Sequence, residues 1–137
     1  ISFFQNDFGP SSSALPIEEQ HAAAFPATAQ TREIPVQSRR LDDLSDELPL
    51  GDAILLKSDV QGYDLEVLKG AEQVLGRVRL VIVDASLVEL YAGQADFSAI
   101  YDFLTARGFS FRGEMGVLHD PRDGKPLQMD ALFIRDA

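Results

Sequence analysis

The chain has no cysteine and no tryptophan, only two histidines, and nearly twice as many acids as bases. Without cysteine these residues hold no disulfide, no thiolate nucleophile and no thiolate metal site. That fits a reducing compartment. No signal peptide is visible, and the expected location is cytoplasmic. His21 and His119 both fall in loop-like sequence and read as solvated residues, so no histidine-based metal centre is expected. A net charge of −10 repels phosphate backbones and anionic lipid surfaces, which makes nucleic acid an unexpected partner. Apolar runs are short: LVIV at Leu80 to Val83 is far below the ~20 residues of a membrane helix, so membrane insertion is not expected. There is no Gly-x-Ser-x-Gly elbow, P-loop, EF-hand or His-Glu-x-x-His. Nor is there a Gly-x-Gly loop between a first strand and a helix, so no cofactor-binding or metal-binding residues are assigned.

What is present suits one globular domain. The chain has 137 residues, of which 45% are hydrophobic and 25% charged, enough for a sizeable core. Residues 1–52 read as a connecting or lid region. ISFF (1–4) is β-like and the FGPSSS stretch is turn-rich. Ser11 to Thr31 is irregular apart from a helical turn near IEEQHAAA. EIPVQS (33–38) suits an edge strand because Pro35 cannot donate to a ladder. RRLDDLSDEL places Leu41, Leu44 and Leu48 on one face of a short helix.

Residues 53–137 read as an α/β core. AILLKSD (53–59) is an apolar run that turns polar at its end. Asp64 to Leu75 has the period of a helix, with Leu65, Leu68, Ala71 and Leu75 on one side. Gly70 inside it suggests a close approach to the sheet, and Gly76 suits the position after its end. RLVIVDAS (79–86) is a continuous apolar strand. LVELYAGQ is a loop with some helical character. Asp96 to Arg107 is the next helix, with Phe97, Ile100, Tyr101 and Leu104 inward. FSFR and ALFIR are the last strands, around the DPRDGK turn. The strands joined by helices should be parallel, and the final one antiparallel near one edge.

Ligands of open α/β sheets bind beyond the carboxyl ends of the parallel strands. Two strands end there in acids, Asp59 and Asp84. Either can act as a general base, bind a sugar hydroxyl, ligate a hard cation, or simply cap the next helix. Lys57 shares a strand face with Asp59 and can hold it ionised. Gly62 allows a sharp strand-to-helix turn at positive φ. Gln61 and Tyr63 flank it as candidate donors, Tyr63 equally as a packing residue.

The segment from Leu55 to Phe109 resembles the C-terminal half of the FkbM-family methyltransferases. LDDL, LKSDVQGYDLEVLKGA, ELYAGQ, GF and LQMDALFIR all match the family's pattern, with Asp64 and Asp84 where glutamate is usual. FGPSSSAL resembles the family's loop ahead of LDDL. The resemblance implies a class I methyltransferase-like (Rossmann-like) mixed sheet and S-adenosylmethionine as cofactor. It also implies a small-molecule hydroxyl acceptor such as a sugar, glycolipid or polyketide. Asp59, Gln61 and Asp84 become the candidate catalytic set, and Lys57, Tyr63 and Ser12 the candidate acceptor contacts. The family's cofactor-binding half lies ahead of this region. The chain, which opens at Ile1, therefore reads as the substrate-side half, pairing with a missing N-terminal half or forming a homo-oligomer. The rival readings are a non-catalytic binding or assembly domain, and a metal-dependent hydrolase built on Asp59 and Asp84.

Overall fold

A computed structural model describes every residue from Ile1 to Ala137. The N-terminal stretch is an ordered unit. β1 (Ser2–Asn6) pairs antiparallel with β2 (Thr31–Pro35), and α1 (Glu19–Ala24) lies between them in the chain. β2 starts earlier than EIPVQS implies and stops at Pro35. Ala24 of α1 joins Leu90, Tyr91 and Leu127 in a small apolar cluster that ties this unit to the core. His21 belongs to the same contact. It is 4% exposed and meets Tyr91 edge-on at 5.0 Å, so the reading of a solvated loop histidine is corrected. Burial lowers its pKa, against an opposing contact with the Leu90 backbone.

The main sheet has the order β3-β4-β6-β5, built from β3 (Ile54–Ser58), β4 (Val78–Ser86), β5 (Phe109–His119) and β6 (Pro126–Arg135). β3 and β4 are parallel. β6 is antiparallel to both β4 and β5, so β4 and β5 point the same way without touching. The last strand is thus antiparallel and near one edge, as expected, one place in from β5. Leu127, Ala131 and Phe133 of β6 are fully buried, which suits that place. The Asp120–Lys125 turn, closed by Asp120 N donating to Lys125 O at 2.8 Å, folds β6 back on β5.

One face of the sheet is covered by α3 (Asp64–Lys69), α4 (Glu72–Leu75) and α5 (Phe97–Thr105) through Leu68, Leu75, Ile100 and Leu104. Asp96 caps α5 by accepting from Ala99 N at 2.9 Å. Tyr101 is 40% exposed; it lies against Phe97 and Phe111 at the rim of the core instead of inside it. LVELYAGQ forms no helix. No helix is long and apolar enough to cross a membrane.

The expected helix from Asp64 to Leu75 is broken in two. The cause is Asp42, at the start of α2 (Leu41–Leu44). Its backbone N–H donates to Gly70 O at 2.9 Å. Its carboxylate accepts from the N–H groups of Gln73 and Val74, at 3.0 Å each, and so caps α4. A Cβ on Gly70 would meet Val67 O at 3.4 Å, Glu66 O at 3.5 Å and Arg40 Cα at 3.6 Å, ordinary contacts, so no close approach to the sheet accounts for the glycine. Gly76 keeps right-handed helical angles and needs no left-handed freedom. After α2 the chain passes through a 3₁₀ turn and leaves Leu48 exposed. Because Asp42 is a buried cap, Asp42→Ala should cost about 1–2 kcal/mol, read as a lower urea midpoint at unchanged slope. An unchanged midpoint would show that the two short helices hold without it.

Candidate functional site

The site forms where β3 ends. Ser58 is buried, Asp59 faces outward, and the chain then reverses through Gln61 at φ 55° and Gly62 at φ 92°. Gly62 is needed twice over. Its φ is left-handed, and a Cβ there would lie 3.1 Å from the Cβ atoms of Tyr91 and Gln94. The turn is braced from below by Asp64, which is 1% exposed. One carboxylate oxygen of Asp64 accepts from Ser58 Oγ at 2.6 Å and Val60 N at 3.2 Å, and the other from Gly62 N at 3.2 Å. Burial raises its pKa against those donors.

Asp59 accepts from Lys57 Nζ at 2.9 Å and Gln61 Nε2 at 2.8 Å. Burial pushes its carboxyl up, but the hydrogen bonds from Lys57 and Gln61 and the charge of Lys57 outweigh this, so it sits below its ordinary value and is ionised at neutral pH. Lys57 is raised in turn, chiefly by its hydrogen bond to Asp59. The expectation that Lys57 would hold Asp59 charged is met in geometry. Asp84, at the end of β4, is the opposite case. It is 5% exposed, and Gln61 Nε2 reaches it only at 3.4 Å. Burial first, then the charges of Asp64, Asp59 and Asp130, push it up to about 8. Asp130 faces it across the β4–β6 ladder. Two acids with environments that push their protonation apart are a recurrent arrangement for acid–base work.

The same asymmetry has a consequence for stability. Asp84 titrates near its ordinary 3.8 when unfolded and near 8 when folded. In that window the folded chain binds the extra proton, so stability falls as pH rises from about 4 to about 8 and then levels. Urea midpoints across this range should decline, and Asp84→Asn should flatten the decline. A slope that survives the substitution would assign it elsewhere.

Gln61 is the hub of the site. Its Nε2 serves both acids, its Oε1 accepts from Tyr91 Oη at 3.0 Å, and its backbone O accepts from Ser13 Oγ at 2.6 Å. Sequence reasoning missed Tyr91, Ser13 and the bracing role of Asp64. Ser12, the expected acceptor contact of the serine run, has its Oγ accepting from Asn6 N at 2.9 Å instead. Tyr63 stands at the start of α3 and borders a cleft of about 440 Å³ shared with Leu15, Glu66, Lys69 and Ala95. The structure thus brings Lys57, Asp59, Gln61 and Asp84 together, puts Tyr63 on a cleft lined by none of the four, and gives Ser12 a different partner. No group of three or more His, Asp or Glu side chains is placed to hold a metal ion.

A mixed α/β sheet with this cluster at its strand ends is consistent with a methyltransferase. Residues 2–111 match the model of the methyltransferase FkbM domain, and the chain belongs to that family. It is 39% identical over 71 residues to the 2-O-methyltransferase NoeI of Sinorhizobium fredii, a match covering 52% of this chain and 29% of that protein. It is 33% identical over 82 residues to Methyltransferase 1 of Beauveria bassiana, covering 59% of this chain and 31% of that protein. The matched region spans less than a third of either relative. No solved structure matches the chain.

Membership of the family implies S-adenosylmethionine as methyl donor, but no Gly-x-Gly loop, the usual cradle of such a cofactor, follows a strand in these residues. The glycine of the strand-to-helix turn, Gly62, is packed against the Cβ atoms of Tyr91 and Gln94.

Proposed function

We propose that this chain supplies the acceptor side of an O-methyltransferase acting on a hydroxyl of a sugar, glycolipid or polyketide-like molecule. The observation that carries this reading is the pair of acids on either side of the Gln61 amide, Asp59 open to solvent and paired with Lys57, Asp84 buried. Ionised Asp59, half open to solvent, accepts the hydrogen of the acceptor hydroxyl and takes its proton as the oxygen becomes an ether. Asp84, protonated near neutrality, can donate to a second oxygen of the same molecule. Tyr63 and the cleft beside it hold the remainder of the acceptor. The 2-O-methyltransferase among the relatives supports a hydroxyl as the acceptor group. The methyl donor is held by residues other than these. The outer edge of β3, unpaired in the sheet order, is where further residues of a complete protein, or a second copy, would add.

The test uses the complete protein, a methyl-labelled donor and a panel of hydroxylated acceptors. Label that resists mild base marks an ether and supports the reading, whereas base-labile label marks a carboxyl ester and overturns it. The missing cradle also supports a second reading, a binding domain without methyl transfer. Calorimetry of the complete protein with S-adenosylmethionine separates the two, since an absence of heat favours the second.

A further inference from the structure

Tyr91 is the largest side chain in the molecule with no exposed surface. It is not on the sheet or on a helix, and its hydroxyl is aimed at the candidate site. Two acceptors lie within its reach, Gln61 Oε1 at 3.0 Å and Ser11 O at 3.3 Å. A hydroxyl has one hydrogen, and the shorter contact is to Gln61. Burial, and next the charge of Asp84, raise the phenol far above its ordinary value, so Tyr91 remains a donor across the working range. The other end of the Gln61 amide then follows. With Oε1 taken by the phenol, Nε2 must face the acids. The Gln61 backbone is held in its left-handed conformation by Ser13 Oγ at 2.6 Å, so the side chain departs from a fixed point.

We propose that Tyr91 is a positioning residue of this site, fixing through Gln61 the amide hydrogens that face Asp59 and Asp84. The proposal rests on the reading of Asp59 as the acceptor-facing acid, although its test does not need turnover. Removing the phenol hydroxyl frees the amide to turn. Asp84, when protonated, can then donate to Oε1, while Asp59 loses one of its two donors. Both carboxyls are expected to hold their protons to higher pH. The other charged groups facing the pair are Lys57 on β3, Asp64 on α3 and Asp130 on β6. His21 of α1 meets the Tyr91 ring and not the acids. None of these is altered by the substitution.

The experiment is a carboxyl-carbon NMR titration of this chain and of Tyr91→Phe, which keeps the ring and its packing. The expected result is an upward move of the Asp59 and Asp84 midpoints. Gln61→Asn, a residue that tolerates the left-handed backbone, supplies a second arm. Its shorter amide cannot bridge the pair, so Asp59 alone should rise, and adding Tyr91→Phe should then change nothing more. Unchanged midpoints in Tyr91→Phe overturn the proposal whatever happens to melting temperature. Equal shifts with and without the Gln61 substitution also overturn it, because Tyr91 would then be acting through packing. The Gln61→Asn arm stands by itself if Tyr91→Phe does not fold. In the complete protein the acid limb of the kcat/KM profile should move to higher pH. Midpoints that move while turnover ignores Asp59 would uphold the positioning and sink the methyl-transfer reading.

Discussion

Asp59→Asn in the complete protein is expected to lower kcat/KM for methyl transfer by roughly 10²–10⁴-fold, the range for removal of a positioned proton acceptor. Asparagine keeps the size and the backbone of the site but cannot take a proton. Its effect on folding should be small. The Lys57–Asp59 pair is about half exposed on both sides, and exposed pairs contribute at most about 1 kcal/mol. A melting temperature near wild type together with lost turnover is therefore the expected pattern. Turnover at the wild-type level would remove Asp59 from the reaction. Asp84→Asn should behave differently, since at neutral pH it replaces a group that already carries a proton. Its activity should be retained at neutral pH and should become less sensitive to pH near 8.

The largest expected effect on stability is Phe133→Ala, at about 3–5 kcal/mol. Phe133 has no exposed surface, lies 5.4 Å from the ring of Phe111, and sits on the strand that joins β4 to β5. The loss is a large share of the 5–15 kcal/mol typical of a whole domain. It should appear as a much lower urea midpoint, or as loss of a cooperative transition. Phe133→Leu, which keeps most of the volume, should cost about 1.5 kcal/mol or less. Similar midpoints for alanine and phenylalanine would mean that β6 is not the centre of the core.

Several of these elements could be read from the residues. β3, β4 and α5 stand out because continuous apolar runs and a 3.6-residue period are local signals. The turn at Gly62 and the shared face of Lys57 and Asp59 also follow from local geometry. What escaped was non-local. The break between α3 and α4 is made by Asp42, which reaches Gln73 across 31 residues of sequence, and no helix period carries that information. The insertion of β6 between β4 and β5 is likewise a matter of pairing. An apolar strand shows that it is buried but not which neighbours bury it. His21 is buried by Tyr91 and Phe25, and a lone histidine in an Ala-rich stretch gives no sign of it. Tyr91 and Ser13 looked like ordinary loop residues. Their one local trace was an aromatic flanked by apolar residues ahead of Gly93, and a serine run too uniform to show which hydroxyl points inward.

The position of β6 also sets an order of events in the cell. A ribosome delivers β3, β4 and β5 before it delivers residues 126–135, yet those residues form the seam between β4 and β5. Until they emerge, β4 presents a bare apolar edge and β5 has no partner in the main sheet, the condition in which nascent chains associate wrongly. Asp84 meets Asp130 only when that seam closes, whereas the partners of Asp59, Lys57 and Gln61, are already in place on β3 and the turn after it.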